Sequence, residues 1–392
     1  MMAKPIRRHI CVMNICIRIL QQLAIVTLLP AALLPGVLVA AADAPGETPL
    51  KLTLTPQIYA VPGVEMSVYF DNVVLTEEPH SYHFAVECAI GRTEDRRWTV
   101  IPQTSDVGRI PFAIRITDGD GNVLATASSV LRVVPQEAGH GKSIRLLIVG
   151  DSLTHATKYP NEVARLLSQP GNPGWTMLGT HRPSSAAEGV AHEGYGGWTW
   201  VRFASKYEPH PDGTHRKRSS PFVFLGDDGK PQLNVQRYIR EHCDEQPPDF
   251  VIFMLGINDC FSAPPDDPAG IDSRIDTVFE HTKTLLADFR KAAPNAHFGI
   301  CLTPAPNSRE AAFQANYKDR YHRWGWKQIQ HRLVQRQIES VTTSRDNNVS
   351  IIPTQLNIDP VDGYPANNGV HPNEAGYRQL GVSIYAWLKS RL

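Results

Sequence analysis

The 392-residue chain carries no net charge: 39 Lys and Arg balance 39 Asp and Glu. No global field therefore draws it to nucleic acid or to an anionic membrane, and neither is expected as a partner. Cysteine is scarce, six in all, and none forms a C-x-x-C pair, so a structural zinc site is not expected. Beyond Val39 no apolar run is long enough to span a bilayer. Disorder is excluded by the opposite kind of count, because 42% of residues are hydrophobic and only 20% charged. What remains is a globular chain long enough for two ordinary domains.

The N-terminus follows a different pattern. Lys4, Arg7, Arg8 and Arg18 precede an apolar run from Leu23 to Val39, which ends in Ala40, Ala41 and Ala42. A basic stretch, an apolar stretch and small residues in that order predict a secretory signal peptide over residues 1–42. The alternative is an uncleaved membrane anchor, which Pro30, Pro35 and Gly36 weaken as a spanning helix. The expected location is periplasmic or extracellular, with no membrane span after cleavage. Cys11 and Cys16 would leave with the signal. An oxidising compartment permits one or two disulfides among Cys88, Cys243, Cys260 and Cys301. Cys88 and Cys301 lie in strand-like apolar segments, which favours buried free thiols, and sequence alone selects no pairing.

From residue 50 to about 135, short alternating runs recur, such as Met66-Ser67-Val68-Tyr69-Phe70 and Phe112-Ala113-Ile114-Arg115-Ile116. Period-two alternation at this spacing predicts a small all-β sandwich. Asp118-Gly119-Asp120-Gly121-Asn122 looks like a calcium loop, but it lacks the downstream acid and falls between two strands, where a hairpin turn is the better reading. Residues 136–142 form a polar, glycine-containing linker. The pattern then changes to apolar strands at 144–149, 176–178, 250–255, 298–302 and 349–352. Helical stretches at 161–168, 235–242, 271–293, within 309–343 and at 374–389 alternate with them. Fully apolar strands between helices predict an α/β domain over 143–392 with a parallel sheet covered on both faces. Ligand-binding residues are then expected just beyond the strands' carboxyl ends.

Two such ends carry chemistry. Ser152, in Gly150-Asp151-Ser152-Leu153, follows the first strand, and Asn258, in Gly256-Ile257-Asn258-Asp259, follows the 250–255 strand. A serine hydroxyl becomes a useful nucleophile when a base takes its proton and donors stabilise the developing oxyanion. The backbone N–H of Ser152 at a helix start, the unobstructed N–H of Gly197 and the Asn258 amide can supply three such donors. His371, in His371-Pro372-Asn373 just before the last helix, can supply the base.

Taken in order, these blocks resemble those of the SGNH, or GDSL-type, hydrolase family, over roughly residues 143–392. The resemblance implies a flavodoxin-like three-layer α/β/α fold and ester hydrolysis through an acyl-enzyme. It assigns Ser152 as nucleophile, His371 as general base and then acid, and Gly197 with Asn258 as the oxyanion hole. No cofactor and no metal are implied. Exported relatives with an extra β-domain often act on acylated carbohydrates, so the expected substrate is a small-molecule or polysaccharide ester, most simply an acetyl ester. Two alternatives stand beside this: acyl transfer to another sugar, and an attenuated carbohydrate-binding or surface module.

The chain departs from the family pattern three residues before His371, where the family has aspartate and this chain has Asn368. Three readings follow. Asn368 or a backbone carbonyl orients His371; Asp362 or Asp359 takes the carboxylate's place; or catalysis is attenuated. His192-Glu193 lacks the second histidine of a zinc-protease helix. The basic run His215-Arg216-Lys217-Arg218 suits a solvated loop, with an acidic polysaccharide as its alternative partner. Tyr317, Tyr321, His322, Trp324 and Trp326 suit helix packing, with stacking on sugar rings as the alternative.

Overall fold

The computed structural model describes residues 50–208, 219–344 and 346–392, and both the signal-peptide segment and the 215–218 basic run lie outside them. Thr48–Leu392 forms one compact unit. Its centre is a parallel sheet in the spatial order Gly174–Leu178, Ser143–Gly150, Phe250–Met254, His297–Cys301, Val349–Ile352. In chain order that is second, first, third, fourth, fifth, the doubly wound flavodoxin-like arrangement. The short Glu193–Gly194 strand adds beside the tip of Ser143–Gly150. Leu146, Leu147, Ile148, Val149, Val251, Ile252 and Phe253 are fully buried, as strands covered on both faces require.

The helices pack in two groups. Glu374–Lys389 lies against Lys158–Leu167, while Trp200–Ser205, Val235–His242 and Arg323–Thr342 pack on the long Pro268–Ala292 helix. Their starts are written in side chains: Asn234 caps Val235–His242 by accepting from Arg237 N–H, and Asn373 caps the last helix by accepting from Ala375 and Gly376. None of the described helices is long and apolar enough to cross a membrane.

The strands expected between 50 and 135 form. One sheet of four runs Gln57–Ala60, Val123–Val133, Gly108–Thr117, His83–Cys88, and another of three runs Met66–Tyr69, Arg97–Val100, Arg92–Thr93. Ile58, Val68, Trp98, Phe112, Ile114 and Leu131 share one apolar cluster, which also takes in Leu356 from the far side of the chain. Asp118 closes the hairpin, its carboxylate accepting from Asp120 N–H at 3.0 Å and Asn122 N–H at 2.8 Å. The glycine-rich acidic stretch is thus a turn. Cys243, Cys260 and Cys301 are buried free thiols and Cys88 is a half-buried one.

The helical stretch within 309–343 is two helices, Glu310–Tyr317 and Arg323–Thr342, broken at Lys318 with φ of 55°. The break folds Tyr317, Tyr321 and Trp326 around Phe261, at ring separations of 5.1, 4.1 and 4.8 Å. Those three rings therefore serve packing. A hairpin of Val223–Leu225 with Pro231–Leu233 and the Trp200–Ser205 helix were not anticipated, because their runs are too short for periodicity to register.

Candidate active site

Strand register sets the site. Gly150 pairs with Met254 on one side and with Gly194 on the other, so three neighbouring strands end at one level. Ser152, Asn258 and Gly197 lie two, four and three residues beyond those paired positions. They leave the sheet at the point where the strand order reverses, the usual crevice of such folds. Close packing shapes the Ser152 turn. A Cβ on Gly150 would lie 1.9 Å from Thr154 Oγ1 and 2.8 Å from the Met254 carbonyl, and one on Gly194 would lie 2.5 Å from Thr154 Cγ2. Asp151 caps the short Ser152–His155 helix by accepting from Leu153 N–H at 3.0 Å.

His371 meets Ser152. Its Nε2 lies 2.8 Å from Ser152 Oγ, and its Nδ1 lies 3.1 Å from Asn368 Oδ1. The same Asn368 oxygen accepts from the backbone N–H groups of Val370 at 3.1 Å and His371 at 2.9 Å. Those two donors fix which way the amide faces, since a turned-over amide would place its NH₂ against two N–H groups. An oxygen facing Nδ1 requires the proton there, which leaves the Nε2 lone pair pointing at the serine. Asn368 thus supplies the tautomer that an aspartate would supply, without the charge. Burial alone moves the His371 pKa, downward from the usual 6.5, which favours the neutral imidazole that a base needs.

The carboxylates proposed as substitutes are engaged elsewhere. Asp362 is 69% exposed and pairs with Arg96 at 2.8 Å. The Asp359 oxygen nearest Arg96, at 3.3 Å, also accepts from Val361 N–H at 2.8 Å and Asp362 N–H at 3.0 Å. The expectation that Asp362 orients His371 is therefore corrected, because Asn368 holds Nδ1 while Arg96 holds Asp362.

Asn258 and Asp259 are tied to the residues that follow Gly197. Asn258 Nδ2 donates to the Trp198 carbonyl at 3.1 Å, and Trp200 N–H donates to Asp259 Oδ1 at 2.9 Å. Gly197 has φ of +76°, a conformation natural to glycine, and is exposed. Below the loop, Glu193 is wholly buried and accepts from Tyr238 O–H at 2.7 Å, Thr180 N–H at 2.7 Å and the Tyr195 hydroxyl. His192 is equally buried, bonded to Thr157 Oγ1 at 3.1 Å, with its pKa pushed by burial to about 3. His192 thus ties Thr157 to the short Glu193–Gly194 strand, its Nδ1 accepting from Gly194 N–H at 3.1 Å, and burial raises the Glu193 pKa. Among the described residues no His, Cys, Asp and Glu group is arranged to hold a metal.

Two neighbours of the motif residues give no sign of their burial in the sequence. Asp151 and Asp259 are buried next to Ser152 and Asn258, and burial pushes both to about 7. Each stands next to a catalytic candidate in its motif, and nothing in composition or period separates such a carboxylate from an exposed turn residue.

The chain from 148 to 379 matches the model of the GDSL-like Lipase/Acylhydrolase family. Among solved structures it is similar to a family 3 carbohydrate esterase from Clostridium thermocellum, with 20% identity, 62% of this chain and 94% of that chain covered, and a TM-score of 0.39. It is also similar to a carbohydrate esterase of family 3 from Talaromyces cellulolyticus, with 18% identity, 64% and 99% covered, and a TM-score of 0.39. No curated protein sequence matches it. With the serine and histidine in contact at the end of a parallel sheet, and the family's model spanning most of that domain, this chain belongs to the GDSL-like lipase/acylhydrolase family and is a carboxylic ester hydrolase.

Proposed function

We propose that the protein is an exported esterase that removes short acyl groups, acetyl first among them, from a carbohydrate. Ser152 Oγ attacks the ester carbonyl carbon while His371 Nε2 takes its proton. The tetrahedral oxyanion is held by Gly197 N–H and Asn258 Nδ2. As it collapses, the imidazolium returns the proton to the departing sugar oxygen and leaves an acyl-serine. Water, deprotonated by the same histidine, then releases the acid and restores Ser152. The observation that carries this reading is the 2.8 Å contact of His371 Nε2 with Ser152 Oγ, with Nδ1 committed to Asn368 Oδ1.

The carbohydrate part of the proposal rests on two features, the leader-like N-terminus and the strands added at 50–135, read here as a two-layer sandwich. An attenuated binding module is disfavoured because Asn368 keeps the productive tautomer. The test compares the chain lacking residues 1–42 with its Ser152→Ala variant on aryl acetate, aryl octanoate and acetylated oligosaccharides. Acetate release lost in Ser152→Ala, with acetate esters preferred over octanoate, is expected. Equal rates for the two proteins, or no rate above buffer, would sink the esterase mechanism. A preference for octanoate would sink the short-acyl assignment.

A further inference from the structure

Asn368 and His371 sit in the segment 353–373, which has neither helix nor strand between Val349–Ile352 and Glu374–Lys389. A long irregular segment must take its rigidity from what it touches. Much of its first half is held by the N-terminal strands. Tyr69 N–H donates to the Leu356 carbonyl at 3.1 Å, and Ser67 N–H to Asn357 Oδ1 at 2.8 Å. Asn72 Nδ2 donates to the carbonyls of Gln355 and Ile358 at 2.8 and 2.7 Å. Leu356 itself is buried in the N-terminal apolar cluster.

The 359–363 turn that follows is held from two sides, by Arg309 Nη1 donating to the Val361 carbonyl at 2.7 Å and by Arg96 from the N-terminal strands. Arg96 forks its guanidinium between Asp359 and Asp362, at 3.3 and 2.8 Å, across the turn those residues make. From this turn two bonds lead to the histidine: Asn373 Nδ2 donates to the Asp362 carbonyl at 2.8 Å, and Asn373 N–H to the Gly363 carbonyl at 2.9 Å. Asn373 is two residues past His371 and caps the last helix.

We propose that Arg96 is a positioning residue for the esterase reaction, and that the N-terminal strands brace the segment carrying His371. The proposal rests on the Ser152–His371 reading of catalysis. Arg96 touches neither of those residues and acts through the 359–363 turn. The Arg96–Asp362 pair is exposed, at 37% and 69%, and such a pair adds little to global stability. The Asp359 side chain is only 9% exposed, but its carboxylate keeps the Val361 and Asp362 N–H groups when Arg96 is removed. The bearing of both pairs is on geometry. A shift of about 1 Å in a catalytic group can lower a rate by about 10²-fold.

The test is the Arg96→Ala variant of the chain lacking residues 1–42, measured with Arg96→Lys, Asp362→Asn and Ser152→Ala on one aryl acetate. For Arg96→Ala, kcat is expected to fall by about 10- to 100-fold with KM changed by no more than about twofold, since the loss lies in positioning and not in substrate binding. Its melting temperature should stay close to the parent's. Arg96→Lys and Asp362→Asn should fall between, because a lysine cannot fork across two carboxylates and Asp362→Asn breaks one of the two links. Arg96 also lines a cavity of about 680 Å³. Added guanidinium should therefore restore part of the Arg96→Ala rate in a saturable way, while sodium chloride of equal ionic strength should not. Full kcat in folded Arg96→Ala, with Ser152→Ala dead, overturns this proposal alone. So does an activity loss that follows loss of folding and that guanidinium does not reverse. A parental rate in Ser152→Ala overturns the catalytic reading and this proposal with it.

Discussion

Ser152 leaves a strand whose residues Leu146, Leu147, Ile148 and Val149 are fully buried, on a turn shaped by contacts of Gly150 and Gly194 with Thr154. His371 lies in an irregular segment where side-chain amides and ion pairs do the holding, from Asn72 and Arg96 at one end to Asn368 and Asn307 at the other. Asn307 is wholly buried and gives its amide N–H groups to the carbonyls of Pro365 and Asn368, at 2.9 and 3.0 Å. Ser152 is positioned by packing, and His371 by polar pins set on a packed base that includes Leu356, Ile358 and Tyr364. Packing tolerates no added volume, whereas a polar pin fails when one partner is removed.

Substitutions can break that contrast. The largest effect is expected at Asn368→Ala, which removes the acceptor for Nδ1 and for two backbone N–H groups. In a serine protease the wrong tautomer costs about 10⁴ in kcat, and a fall approaching that size, read by steady-state kinetics on a folded variant, is expected here. Next comes Asn258→Ala, which removes one oxyanion donor and should lower kcat by about 10²–10³-fold with little change in KM. On the packed side, Gly150→Ala should act through stability. A Cβ 1.9 Å from Thr154 Oγ1 forces repacking, at a cost of about 1–3 kcal/mol by denaturant titration. If Gly150→Ala were as stable as the parent, the packed half of the comparison would fail.

The smallest effect is on pH. The base must be neutral, and burial lowers the His371 pKa, so the acid limb of kcat/KM should lie below pH 6.5. Asn368→Asp keeps the acceptor and adds a negative charge that favours the imidazolium, so it should stay active and move that limb upward. A limb that moved down in the aspartate variant would contradict the geometry.

Legibility from sequence follows the same division. The five sheet strands and the Val235–His242 and Glu374–Lys389 helices are plain in the sequence, because buried strands and amphipathic helices must repeat apolar residues. Ser152, Gly197, Asn258 and His371 are recognisable because each sits in a short motif beside a strand or helix end. The partner of His371 was not decided by sequence, because an amide's direction depends on donors that exist only in the folded turn. Asp362 was a fair candidate by proximity in the chain, but Arg96 claims it across 266 positions. Nor does period reveal that the early strands share their core with Leu356, a contact made between distant parts of the chain.

An uncharged amide holds His371 in the tautomer protonated at Nδ1. ¹⁵N NMR of the imidazole at neutral pH tests it directly, with His371→Ala used to assign the signals. The structure predicts a protonated Nδ1 and an unprotonated Nε2 for His371 in the parent and in Asn368→Asp, and a predominantly Nε2-protonated ring in Asn368→Ala. An Nε2-protonated His371 in the parent protein would contradict it.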